Sequence, residues 1–381
     1  MQAPRLVALA LGLAGPALAQ QSLDDDPLAI AVVQRHAAHC RELHLAAART
    51  AAVMAGVVDA FLAAPGPETL AAARSSWIDA RRIYGELEAL RFHGGPIDDV
   101  EPCLNAWPID EGYIDQVPGA TGPGIVQDTA QFPQLSAAVL LAANERGGET
   151  NVSVGWHAVE FLLWGQDLDA LGPGQRCWRD FAVGAPVVTA RRRQYLQICT
   201  HLLRQQLAEL AASWAQDGET FHRQFVARPG DAIRRMLTGT LILSGFELAG
   251  ERLAVAYETK DQEQEHSCFS DTTCLDLVAN QRGIVAVFDG GRGEGAAEAT
   301  LLALLRRRDA ALAEHLAQCL ERTTAAMAAI PAPFDQAFLG DDDAPGRRAI
   351  QAAIRALEQQ AEAIAFAGRV FGFDLPLRPG Q

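Results

Sequence analysis

The chain has 381 residues, 49% of them hydrophobic and 21% charged, with a net charge of −15. That balance describes a folded chain with apolar surface for more than one core, and excludes a disordered or collagen-like one. It also argues against nucleic acid as a partner, because displacing phosphate counterions requires basic surface.

Met1–Ala19 starts with one charge, Arg5, runs through the apolar stretch Leu6–Gly15, and ends Ala17-Leu18-Ala19 before Gln20. A charged start, on the order of ten apolar residues and a small-residue cleavage site predict an export signal over residues 1–19. The run is too short to span a bilayer, and no later stretch reaches about 18 uninterrupted apolar residues. The expected location is therefore the periplasm or cell envelope, with no membrane span. All seven cysteines follow the signal. An oxidising compartment permits disulfides, and the odd count leaves at least one thiol over. No C-x-x-C pair supports a zinc ribbon or a thioredoxin-like site.

Helical periodicity dominates the rest of the chain. It predicts helices over Asp26–Leu62 and Glu68–Phe92, the second stopped by Gly94-Gly95-Pro96. A Pro/Gly/Asp-rich irregular segment occupies Pro96–Gly124, and a loop of that length inside a compact domain points to function. Gln134–Asn144 and Val154–Trp164 again read as helices, and Gly172-Pro173-Gly174 breaks the chain. The second half repeats the order. Helices over Val187–Trp214 and Asp231–Glu258 precede an irregular acidic segment, Lys260–Thr273, and further helices cover Ala296–Ala329 and Arg347–Phe366. Gly283–Phe288 is the one strand-like hexamer. The expected architecture is all-α: two helical bundles, residues 20–175 and 176–381, suggesting an internal duplication, with long irregular loops at their interface.

The most pointed motif is Gly155-Trp156-His157-Ala158-Val159-Glu160. His157 and Glu160 are three apart on a helix and share a face, so both can reach one ion. A His–carboxylate pair suits iron, manganese or zinc better than copper(I). The bland alternative is that Glu160 accepts a hydrogen bond from His157 in a packed core, and the apolar setting of Trp156, Phe161 and Trp164 favours burial either way. Arg81, Tyr84, Glu88 and Arg91 form one helical stripe. Because charged side chains are rarely fully buried, that stripe is expected to face solvent.

In the second half, Glu247 and Glu251 lie four apart with Arg252 adjacent. Beyond them Glu265, His266, Ser267, Ser270 and Asp271 make either a hard-ligand loop or an ordinary acidic turn. His36, Cys40 and His44 share a helix face with His39 nearby, a spacing that chelates zinc or copper when a second helix meets it. The zinc-protease motif H-E-x-x-H, G-x-S-x-G and a P-loop are absent.

Trp77-Ile78-Asp79-Ala80-Arg81, Gly95-Pro96-Ile97-Asp98, Asn105-Ala106-Trp107-Pro108-Ile109-Asp110-Glu111, the GxHxxE segment, Glu247-Leu248-Ala249-Gly250-Glu251-Arg252 and Glu265-His266-Ser267-Cys268-Phe269-Ser270-Asp271 occur in that order. Together they resemble the imelysin-like family of bacterial envelope proteins, most closely its iron-regulated protein A branch. The resemblance implies two helical bundles, an envelope location, and an interface site built around His157 and Glu160. It further implies iron, or alternatively zinc, with Glu88 as a third ligand and Arg81, Arg91 and Asp110 orienting the ligands. The implied activity is iron binding in support of iron acquisition, with a partner in an envelope iron-uptake or redox system. A zinc-type metallopeptidase and a non-catalytic interaction module are the alternatives. One HxxE offers two ligands and no separate general base, which favours binding over cleavage.

Overall fold

Asp26 accepts the Leu28 N–H at 3.0 Å and Pro27 opens the first turn, so the long helix α1 (Pro27–Ala63) starts where its cap and its proline require. The computed structural model describes residues 22–92, 94–120, 122–169, 171–184, 186–291 and 298–380. The export signal expected over residues 1–19 lies outside them. α1 is long and apolar enough to cross a membrane by length and composition. Here Ala29, Ala37, Leu43, Ala51, Val58 and Phe61 on it are fully buried, against α2 (Pro67–Leu87) and α7 (Val187–Ser213).

The segment predicted to be irregular holds two helices, α3 (Pro96–Leu104) and α4 (Glu111–Ile114). Gly95-Pro96 also opens a new helix: Asp98 accepts the N–H groups of Phe92, Gly94 and Gly95 and closes the first turn of α3. α5 (Ala137–Ala143) and α6 (Trp156–Trp164) come next, and α6 is buried along its whole length. α7 packs on α1 and α6. It therefore extends the first bundle beyond residue 175, where the sequence placed the boundary. Arg176 and Arg192 converge on the buried Asp115 at 3.0 and 2.5 Å and tie the connecting segment to α7.

The second bundle is built from α9 (Pro229–Ile242), α11 (Thr273–Asp289), α13 (Ala310–Ala328) and α15 (Pro345–Val370). The short helices α8 (Phe221–Val226), α10 (Val255–Thr259), α12 (Leu301–Arg308) and α14 (Phe334–Ala337) connect them. Between α9 and α10 the chain runs as a π-helix, Leu243–Ala254. This wider turn changes which side chains meet. Arg252 donates to Glu247 at 2.8 Å, while Glu251 is exposed.

No strand occurs among the described residues. Gly283–Phe288, the predicted strand, lies in α11. Its Ile284, Val287 and Phe288 are buried in the core, and that packing overrides the strand preference of β-branched residues. A Cβ on Gly283 would run into the carbonyl oxygen of Glu86, and one on Gly85 would lie 2.8 Å from Ala279 Cβ. These two glycines let α11 lie close against the end of α2. The bundles thus meet along α2 and α11 and share one contiguous apolar core.

Candidate functional site

The polar stripe that starts on α2 and runs past its end to Arg91 faces inward, contrary to the expectation of a solvated face. Arg81, Tyr84 and Glu88 are essentially without solvent contact, and Arg91 is buried. The physical reason is that α11 and the π-helix supply partners for each charge. Arg252, Arg91 and Asn105 donate to Glu88 Oε2 at 2.5, 3.1 and 3.3 Å, and Asn280 donates to Oε1 at 3.1 Å. Burial would push the Glu88 carboxyl up, but Arg252, Arg81 and Arg91 outweigh it and hold it well below the usual carboxylate range. Arg81 donates to Asn105 and, at 3.2 Å, to Asp276. Its guanidinium also lies over the Tyr84 ring, 5.4 Å from the centroid.

Asp276 gathers the loop before α11. His266 Nδ1 and the Ser267 hydroxyl donate to its Oδ2 at 3.0 and 2.6 Å. Burial, then Arg252 and Arg81, lower His266 to about 4, so its ring is neutral at pH 7. Arg91 pairs with Glu101 at 2.9 Å. Above this network a cleft of about 370 Å³ opens, lined by Arg91, Glu101, Trp107, Glu247, Arg252 and His266 among others.

The helix pair behaves as the bland alternative describes. His157 Nδ1 and Glu160 Oε2 are 2.8 Å apart, and Glu160 Oε1 accepts both the N–H and the hydroxyl of Ser270, at 3.0 and 2.6 Å. Burial, then Arg81 and His266, push His157 well below the ordinary histidine range. Burial, and then repulsion from Asp276, raise Glu160 to about 8 against the Ser270 hydrogen bonds. One proton is therefore shared between a neutral ring and a buried carboxyl group. His157 Nε2 has no hydrogen-bond partner, and its ring packs edge-on against His266 at 4.8 Å.

At His157, Glu160 and Glu88 the donors do not form a seat for the implied iron or zinc. His157, Glu160 and Glu88 are not among the residues whose donor atoms converge on one point. Glu88 is held by guanidinium and amide groups, and Glu160 is turned onto Ser270. Cationic Arg81 and Arg252 lie close enough to depress His157, an unfavourable neighbourhood for a second cation. Asp110 is exposed and caps α4 through the Gly112 N–H at 2.9 Å, so it orients nothing in the network. On α1, Cys40 Sγ lies 3.3 Å from His36 Nε2, and His44 Nδ1 lies 2.7 Å from the Cys40 carbonyl oxygen. The His36 and His44 rings pack against Phe225 and Trp214. All seven cysteines are unpaired.

Of the expected site residues, the fold joins Arg81, Tyr84, Glu88, Arg91, Glu247, Arg252, His266 and Ser267 in one network. His157 and Glu160 border it. Glu265 and Asp271 lie apart, beside Asp335. Asn105, Asp276 and Asn280 were missed. Asp276 and Asn280 are four apart on α11, a face hidden by reading part of that helix as a strand.

The family model described as imelysin, peptidase M75, matches residues 41–364. Iron-regulated protein A of Synechococcus elongatus is 26% identical over 282 residues, covering 71% of this chain and 67% of that protein. The crystal structure of a putative iron-regulated protein A precursor from Parabacteroides distasonis superposes with a TM-score of 0.72 at 18% identity, covering 90% of this chain and 95% of the other. An imelysin-like protein from Psychrobacter arcticus gives 0.62 at 16% identity, with coverages of 92% and 97%.

Proposed function

Because the chain belongs to the imelysin family, we propose that it is an exported periplasmic protein that binds iron as cargo for acquisition and does not cleave peptides. The observation that argues against cleavage is the closure of the His157–Glu160 pair on itself and on Ser270. A zinc hydrolase requires three protein ligands around an open position with an activated water. Here the would-be third ligand, Glu88, is held by Arg252 and Arg91. Iron as the cargo is supported by the name of the Synechococcus relative, iron-regulated protein A. A carrier of this kind would hand its cargo to an envelope partner of an uptake or redox system.

The test is elemental analysis of the exported protein purified without chelator or affinity metal, beside peptide-cleavage assays with zinc supplied. The expected result is bound iron, or uptake of one equivalent on titration, with no turnover. Zinc-dependent cleavage abolished by His157→Ala would overturn the reading.

A further inference from the structure

We propose that Glu265, Asp271 and Asp335 form the seat of a hard, oxygen-preferring cation, apart from the arginine network. For the identity of the metal this rests on the proposed iron binding; the site itself rests on the geometry. One ligand atom from each of these side chains lies within 4.8 Å of the others, the one set of three that converges in this way among the described residues. Oxygen ligands at about 2.0–2.6 Å around a hard cation stand about 3 to 5 Å from one another, so that spacing suits one ion at the centre.

Glu265 supplies the independent observation. It is wholly buried, yet neither of its carboxylate oxygens has a hydrogen-bond partner of normal geometry, and the Thr273 hydroxyl is the donor beside it. Asp271 Oδ1 and Asp335 Oδ1 are likewise unpartnered, while Asp335 Oδ2 accepts from Gln336 at 2.8 Å. No arginine or lysine forms an ion pair with any of the three among the described residues. Glu88, equally buried, is by contrast surrounded by donors. Buried carboxylates with so few donors and no counter-charge are costly unless protonated or metal-bound.

Three features fit the seat to this chemistry. The donors are all oxygen, which suits iron, manganese, calcium or magnesium over soft metals. Asp271 is only partly buried, which leaves a path for entry. Asp271 also adopts the left-handed backbone at φ 55°, directly after Ser270, which Glu160 holds by two hydrogen bonds. On this reading Glu160, through Ser270, holds the loop that carries Asp271.

The full exported protein, stripped with chelator and dialysed, would be titrated calorimetrically with Fe²⁺ under anaerobic conditions, and separately with Mn²⁺ and Ca²⁺. Wild type would be compared with Glu265→Gln, Asp335→Asn and His157→Ala, with circular dichroism confirming that each is folded. The expected result is one equivalent bound by wild type and His157→Ala, and affinity at least tenfold weaker in both carboxylate variants. Without metal, Glu265→Gln should melt no lower than wild type, because the substitution relieves repulsion, and added metal should no longer raise its melting temperature. A purely structural Glu265 would give the opposite. Binding lost in His157→Ala but kept in Glu265→Gln and Asp335→Asn would overturn this site and leave the iron reading standing. Carboxylate-dependent binding of Ca²⁺ but not Fe²⁺ would support the site and overturn the iron reading. No binding of any of the three to wild type would overturn both.

Discussion

Arg252 Nη2 lies 2.5 Å from Glu88 Oε2, with both side chains shut off from solvent, and the contact ties the π-helix of the second bundle to the end of α2 in the first. Removing one partner of a buried pair strands the other charge, at a cost of about 3–5 kcal/mol. Glu88→Ala is expected to fall in that range by urea unfolding. The double variant Glu88→Gln, Arg252→Met should lose less than the sum of its single changes, because neither charge is then left alone.

Acid should weaken this joint from its other carboxylate. Burial opposes ionisation of Asp276, but Arg81 and the bonds from His266 and Ser267 outweigh it and lower Asp276 to about 2. The folded value lies below the unfolded one of about 3.9. The stabilisation is therefore present above about pH 4 and lost as pH falls through about 2. It amounts to roughly 2–3 kcal/mol. Urea midpoints between pH 2 and 5 should show a shallower acid loss in Asp276→Asn than in wild type.

Glu160 acts in the opposite direction. Its folded value, about 8, lies above that of an exposed glutamate. The folded protein thus holds a proton the unfolded chain has released. That contribution is complete below about pH 4.3 and is lost as pH rises through about 8. Wild type should lose more stability between pH 5 and 9 than Glu160→Gln does, read by thermal melting at each pH.

Gly283→Ala tests the approach of α11 to α2. The new methyl group meets the Glu86 carbonyl oxygen, a backbone atom that cannot swing aside. Overpacking of this kind costs about 1–3 kcal/mol, measurable by calorimetry. Because Asp276 and Asn280 ride on the same helix, the variant should also flatten the acid dependence assigned to Asp276.

Asp110→Ala removes only a cap. Its exposed side chain accepts the Gly112 N–H at the start of a short, partly buried helix. The expected loss is about 0.5–2 kcal/mol, with metal uptake unchanged.

Most of the secondary structure is legible along the chain because helix signals are local. Pro27 after Asp26, the apolar face of α1 and the run through α6 each specify their element without help from elsewhere. The exceptions have local causes too. Gly95-Pro96 reads equally as a break or a start, and the β-branched residues of α11 read as a strand until their burial is known.

By itself the sequence determined the all-α class and singled out most of the polar residues that matter, since residue type and helical spacing are properties of a segment. Which way those residues point, and whom they meet, only the tertiary structure decided. The stripe from Arg81 to Arg91 turned inward because Asp276, Glu247 and Arg252 supply its counter-charges, and Asn280 a hydrogen bond, from distant segments. His157 and Glu160 closed on Ser270, and Glu265 and Asp271 met Asp335 instead of Glu88. The free energy of a buried charge depends on partners far away along the chain, and spacing within one helix carries no record of them.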